Sequence, residues 1–326
     1  RVQACGDCHL MNFGAFATPE RRVIFDINDL DETLSAPWEW DLKRLAASLV
    51  VAARDLRHGD SVEESVCRDM IGAYQATLLE CAEQSSLENW YESISYTDLL
   101  AQARKTTLEH VQRAIEKAEQ RTHAGLLPRI SERDKHGRLI IRDDLPEIFH
   151  LHNNSTLLDA EDDWLRLSDW RPLYEMFMRD YRGTLQPDRR ELLSRFHVQD
   201  MAFKVVGVGS VGTRCLVALM TDDQEFPLFL QFKEARRSVL ADYVKGKSPV
   251  RHEGQRVVEC QRLMQAASDL FLGWTTGPNG RHFYVRQLRD MKISAELETF
   301  DAETFAAYGR VCGRALARAH AKASGQ

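Results

Sequence analysis

The stretch FKVVGVGSVGTRCLVALMT, residues 203–221, sets a glycine loop between two strand-like runs. Gly207, Gly209 and Gly212 fit G-x-G-x-x-G, a pattern that alone also occurs in dinucleotide folds and in ordinary tight turns. The residues after the third glycine discriminate between these. In a dinucleotide fold that glycine opens a helix, whereas TRCLVALM is rich in strand formers and leads through a polar turn into another such run, PLFLQFKEA. Strand, glycine loop, strand is the arrangement in which a hairpin covers the phosphates of a nucleotide. A plain glycine-rich hairpin is the competing reading.

Working outward, Lys233 falls on the next predicted strand, where a point charge on a long stem suits reach toward phosphates. It needs a carboxylate to hold it. The amphipathic helix predicted after Pro249, HEGQRVVECQRLMQAAS, offers Glu253 and Glu259, and Glu259 in the helix body is the expected partner. Two short strands follow in LFLGWTT and HFYVRQL, and FAAYGRVCGRALARAHAKA closes the chain as a helix. Upstream, DWRPLYEMFMRDYRGTL reads as helix and PRISERDKHGRLIIRDD as a hairpin turning at His136-Gly137. Residues 61–122 are mostly helical in pattern, and PWEWDLKRLAASLVVAARDL predicts a helix capped by Asp41.

The opening residues carry the sharper chemical signal. In GDCHLMN, Asp7 is followed five residues later by Asn12, and the strand VIF then closes on Asp26. Phosphoryl transfer needs a carboxylate to accept the proton of the attacking hydroxyl, and oxygen ligands to hold magnesium against the phosphates. Asp7, Asn12 and Asp26 supply these in order. Within DINDLDE, Asp29 is a further metal candidate, while Asp31 and Glu32 are expected to be solvated. Cys5-x-x-Cys8 lacks both a second cysteine pair and a thioredoxin-like context, so it is expected to be incidental. His9 is expected to orient the loop through its ring nitrogens.

Composition limits the remaining classes. A chain of 326 residues with 44% hydrophobic and 28% charged residues is an ordinary water-soluble globular one, long enough for two domains or one two-lobed enzyme. A net charge of −6 argues against a general nucleic-acid binder. The longest apolar run, LAASLVVAA, falls short of the roughly 20 residues of a membrane span. No nucleic-acid or membrane partner is therefore expected. Seven scattered cysteines, an odd number, favour a reducing, cytoplasmic setting. Arg1 stands inside what reads as a working motif, so the chain is expected to be part of a longer one.

GDCHLMN resembles the G-D-x-H-x-x-N catalytic loop of aminoglycoside-phosphotransferase-like kinases, VIFD resembles their magnesium-binding strand, and PWEWDLKRLA the segment after it. The chain as a whole resembles an uncharacterised bacterial family of unknown function, through its GDxHxxNFG, FDxNDxDE, WDLKRLAAS, GVGSVGTR and LARAHA runs. Motif order departs from the kinases, because the catalytic-loop-like run precedes the glycine loop. Cys5 stands where many relatives have His.

The resemblance therefore implies an α+β, bilobal, protein-kinase-like fold, circularly permuted, with a helix-rich large lobe and a small antiparallel β-sheet lobe carrying one helix. Residues 1–190 would form the catalytic region, 191–292 the nucleotide-binding region, and 293–326 a helix returning to the large lobe. ATP and Mg2+ are the implied cofactors. Asp7 would be the base, acting with Asn12 and Lys233, and Asn12, Asp26 and Asp29 would hold metal. Gly207, Gly209, Ser210 and Gly212 would cover the phosphates. Lys233 would pair with phosphates and with Glu259, and Gln287 and Leu288 in VRQL would read adenine through backbone groups. The implied activity is transfer of phosphate to a hydroxyl of a small-molecule acceptor. A catalytically inactive nucleotide-binding regulatory or scaffold protein is the alternative.

Overall fold

Four short strands open the chain: β1 (Val2–Ala4), β2 (Phe13–Ala17), β3 (Val23–Ile27) and β4 (Leu34–Ala36). The computed structural model describes residues 1–97, 99, 109, 112–113, 116, 122–150, 170–205, 212–245, 250–288 and 293–324. β1 pairs with β4, and β2 pairs with β3 so that Gly14 stands opposite Asp26. Three helices follow, α1 (Trp38–Asp55), α2 (Asp60–Glu83) and α3 (Ser86–Tyr91), and then β5 (Ile94–Ser95) extends the β2–β3 sheet. The apolar stripe of α1 is buried at Leu42, Leu45, Leu49 and Ala53, as its helical spacing predicts. Asp41 is not the cap of that helix. Pro37 occupies the cap position, and Asp41, one turn in, points into the protein with no exposure.

The middle of the chain builds on a second sheet. A helix α4 (His123–Ile130) leads into the hairpin of β6 (Ser131–Arg133) and β7 (Leu139–Ile141), which turns through Gly137 as expected, and then into β8 (Ile148–Phe149). Helices α5 (Arg171–Thr184) and α6 (Pro187–Leu193) precede β9 (His197–Lys204), β10 (Cys215–Thr221) and β11 (Pro227–Glu234). Next come α7 (Glu253–Met264), β12 (Gly273–Thr276) and β13 (His282–Gln287). The strands form one antiparallel sheet in the order β12-β13-β11-β10-β9-β8. Every residue of β10 is buried, which suits its continuous run of apolar and β-branched side chains. A short β14 (Ile293–Ser294) then pairs with β2, and α8 (Ala302–Ala323) ends the described chain. Helices α8 and α2 approach closely at Gly313, where a Cβ would stand 2.4 Å from the Met70 carbonyl oxygen.

The fold is thus mixed α+β, with eight α-helices and four antiparallel sheets among the described residues. None of the described helices is long and apolar enough to cross a membrane. One apolar cluster joins Cys5, Phe13, Ile27, Leu45, Met70 and Leu316, uniting both ends of the chain. Another joins Phe177 and Tyr181 of α5 to Leu216, Phe232 and Val285 of the sheet. The expected boundary at residue 190 falls inside α6. Helix α5 packs its buried Leu173, Tyr174, Phe177 and Tyr181 against the sheet, and α4 with β7 covers the sheet through Leu126 and Ile141.

Candidate functional site

The GDCHLMN loop is held from three sides. Gly6 has φ of +92°, and a Cβ there would lie 2.3 Å from the Glu32 carbonyl oxygen, so only glycine brings this loop against the acidic one. The buried Asp41 carboxylate accepts the Cys5 amide at 2.7 Å and the Gly6 amide at 3.1 Å, and His320 of α8 bonds it at 3.0 Å. Tyr308, also on α8, donates its hydroxyl to the Leu10 carbonyl at 2.7 Å. On this frame Asp7 is half exposed, with one oxygen 3.0 Å from Arg44. Asn12 donates its side-chain amide to the Asp7 carbonyl at 2.7 Å, fixing the turn that separates them. His9 caps that turn by accepting the Met11 amide at 3.2 Å, the orienting role expected of it. Burial lowers the pKa of His9, although the charges of Asp7 and Asp29 oppose the shift.

Asp29 and Asp31 lie beyond β3 and meet Lys233 from the second sheet. The Lys233 ammonium is 3.5 Å from Asp29 and closer still to Asp31. The backbone amide of Asn28 donates to the Asn12 carbonyl at 2.7 Å, which sets Asp29 beside the Asp7–Asn12 turn. Lys233 stands opposite Tyr284, and Gln231 opposite Arg286, so all four share one face of the sheet. Arg286 donates to Gln231 at 3.1 Å and to the Asn28 carbonyl at 3.4 Å. Burial alone would depress both cations, yet the neighbouring Tyr284, with the carboxylates of Asp29 and Asp31, holds each well above its ordinary range. Burial, with repulsion from Asp29, lifts the Asp31 carboxyl to about 6 against the pull of Lys233. The fully buried Tyr284 hydroxyl has no hydrogen-bond partner among the described residues.

All 326 residues match a family described as an uncharacterized protein conserved in bacteria, DUF2252. The chain belongs to this family. No curated protein and no solved structure matches it.

In this DUF2252 chain several expected site residues stand elsewhere. Asp26, expected to hold metal, is engaged in a buried ion pair. β3 continues through Ile27, so Asp26 faces the core, where both its oxygens lie 2.6 Å from Arg318 of α8 and the Ala266 amide donates to it at 2.7 Å. Glu259 is not the partner of Lys233. It is exposed and accepts from Gln255 at 2.6 Å, while Glu253 pairs with Arg256. The amides of Gln287 and Leu288 are not open to adenine, since they donate to Asp269 and to the Phe229 carbonyl, each at 3.0 Å. Both residues line a small cleft of about 80 Å3 with Phe16, Gln261 and Arg286. Gly207, Gly209 and Ser210 lie outside the described residues. Gly212, with φ of +88°, offers its carbonyl to Arg214 at 2.8 Å and to Arg236.

Cys5, Cys8 and Asp41 place candidate ligand atoms within 4.8 Å of one another in the buried frame. Two amides and His320 already occupy Asp41, and burial pushes both thiols above their ordinary range, against the thiolate that a metal requires. Sequence reasoning missed Arg44, Arg286 and the Asp31 contact with Lys233. No spacing in the chain signals these pairs.

Proposed function

We propose that this protein is an ATP- and magnesium-dependent phosphotransferase acting on a hydroxyl of a small molecule. The observation that carries the reading is the meeting of Lys233 with Asp29, 204 positions apart in the chain, beside the Asp7–Asn12 turn. Lys233 lies on the third strand of the run that begins before the glycine loop, the place of the phosphate-binding lysine in protein kinases. Asn12 and Asp29 offer hard oxygen donors of the kind magnesium takes, and magnesium would supply charge neutralisation on the phosphates. Asp7 accepts the proton of the acceptor hydroxyl through the carboxylate edge left open by Arg44. Lys233 and Arg286 steady the negative charge of the transferring group.

The order of elements supports a circularly permuted kinase-like fold. The catalytic-loop-like turn comes first and the glycine loop near the middle, while α8 meets the turn through Tyr308 and His320. The pairing of Asp7 with Arg44 favours a second reading, a nucleotide-binding protein without turnover, because the guanidinium already occupies one of the two carboxylate oxygens. Thermal unfolding and ATP turnover separate the two. Magnesium and ATP at about a hundred times the dissociation constant should stabilise the chain by roughly 2.7 kcal/mol, and Lys233→Ala and Asp29→Ala should lose that shift. Asp7→Asn should keep the shift and lose turnover. A wild-type chain that binds ATP and never turns it over, across a panel of hydroxyl acceptors, supports the second reading.

A further inference from the structure

We propose that Asp31, rather than a glutamate of α7, is the positioning residue for Lys233, and that it keeps the lysine aimed at phosphate while Asp29 turns to a cation. The proposal rests on the phosphotransferase reading above. An ammonium has three donors, so one lysine can hold two carboxylates at once. Of the two, Asp31 makes the closer contact, and Asp29 is the more exposed, with 33% of its side chain accessible against 24%. Asp29 is therefore the acid that an incoming cation reaches first. No α7 glutamate competes for the lysine, since Glu259 faces solvent on Gln255 and Glu253 holds Arg256.

What α7 supplies instead is a brace for the loop that carries Asp31. The guanidinium of Arg256, 3% exposed, donates to the Asp31 carbonyl at 2.9 Å, the Thr33 carbonyl at 2.5 Å and the Arg236 carbonyl at 2.9 Å. It thereby ties the acidic loop to the chain just past the end of β11, the strand bearing Lys233. In protein kinases the helix contributes the carboxylate itself, so movement of that helix makes or breaks the pair. Here the carboxylate and the candidate metal ligand share one loop, two residues apart. The lysine consequently stays placed without a carboxylate from the helix.

A double-mutant cycle on the full chain tests this by urea unfolding. Asp31→Asn combined with Lys233→Met should depart from additivity by about tenfold in the unfolding constant, about 1.4 kcal/mol. Glu259→Gln combined with Lys233→Met should be additive. Additivity at Asp31, or coupling at Glu259, overturns the proposal. If Asp31→Asn does not fold, Asp31→Ser combined with Lys233→Met closes an equivalent cycle. A second readout is the thermal shift with ATP and magnesium, which Asp31→Asn should reduce at least tenfold in apparent affinity and Asp31→Glu should partly restore. An undiminished shift in Asp31→Asn overturns the positioning role. Coupling at Asp31 in a wild-type chain that shows no shift overturns the phosphotransferase reading and reduces Asp31 to a structural counter-ion.

Discussion

At Gly6 a backbone torsion, not a side chain, brings two loops together. A left-handed φ and a 2.3 Å approach to the Glu32 carbonyl leave no room for a Cβ, so the Asp7 turn and the acidic loop are packed through glycine alone. Gly6→Ala should destabilise the chain by about 2 kcal/mol or more, read as a lower urea midpoint at unchanged slope. An alanine variant of wild-type stability would mean that the two loops are not in this contact. Asp26 carries the complementary lesson. Its type and position suggested a metal ligand, yet Arg318 occupies both oxygens in a site with no exposure, and the ion pair ties β3 to α8. The metal candidate moves to Asp29, beyond the end of the strand.

Elements were legible where their periodicity was strong. Helices α1, α5, α7 and α8 and strands β9 to β13 all occur where apolar spacing placed them. Which surface each one covers was not legible, because an amphipathic stripe specifies a buried face and not its neighbour. Helix α5 thus joined the sheet instead of the helical cluster. The junction of β7, β8 and β9 also contains a charge cluster that the sequence did not signal. His150 bonds Asp143 at 2.7 Å and the buried Asp200 at 2.8 Å, while Asp200 accepts the Ile141 amide at 2.6 Å. Burial alone would lower the pKa of His150, but the two carboxylates outweigh it and raise it to about 9. A raised folded-state pKa contributes stability that is fully present below the unfolded value near 6.5 and is lost as pH climbs through about 9. Urea unfolding from pH 6 to 10 should therefore show the wild type losing on the order of 2 kcal/mol relative to His150→Gln. Parallel profiles for the two proteins would exclude the cluster as a stabilising latch.

Across the whole molecule, the candidate site exists only because distant segments converge. Lys233 meets Asp29 over 204 positions, Arg318 meets Asp26 over 292, and His320 meets Asp41 over 279. Binding of ATP with magnesium should slow amide exchange in both the 6–12 loop and the 228–234 strand. Protection confined to one of them would sink the idea of a shared site. From the sequence alone came the succession of helical and strand-like runs, the glycine loop between strands, and the functional candidates Asp7, Asn12, Asp29 and Lys233. These follow from local pattern and residue chemistry, which act over a few positions of chain. Tertiary structure alone decided that Lys233 meets Asp31 and not Glu259, that Asp26 is consumed by Arg318, and that Arg44 and Arg286 border the site. Each of those outcomes depends on which charged groups burial brings within a few ångströms, and there the strength of pairing is set by separation in space, to which spacing along the chain is blind.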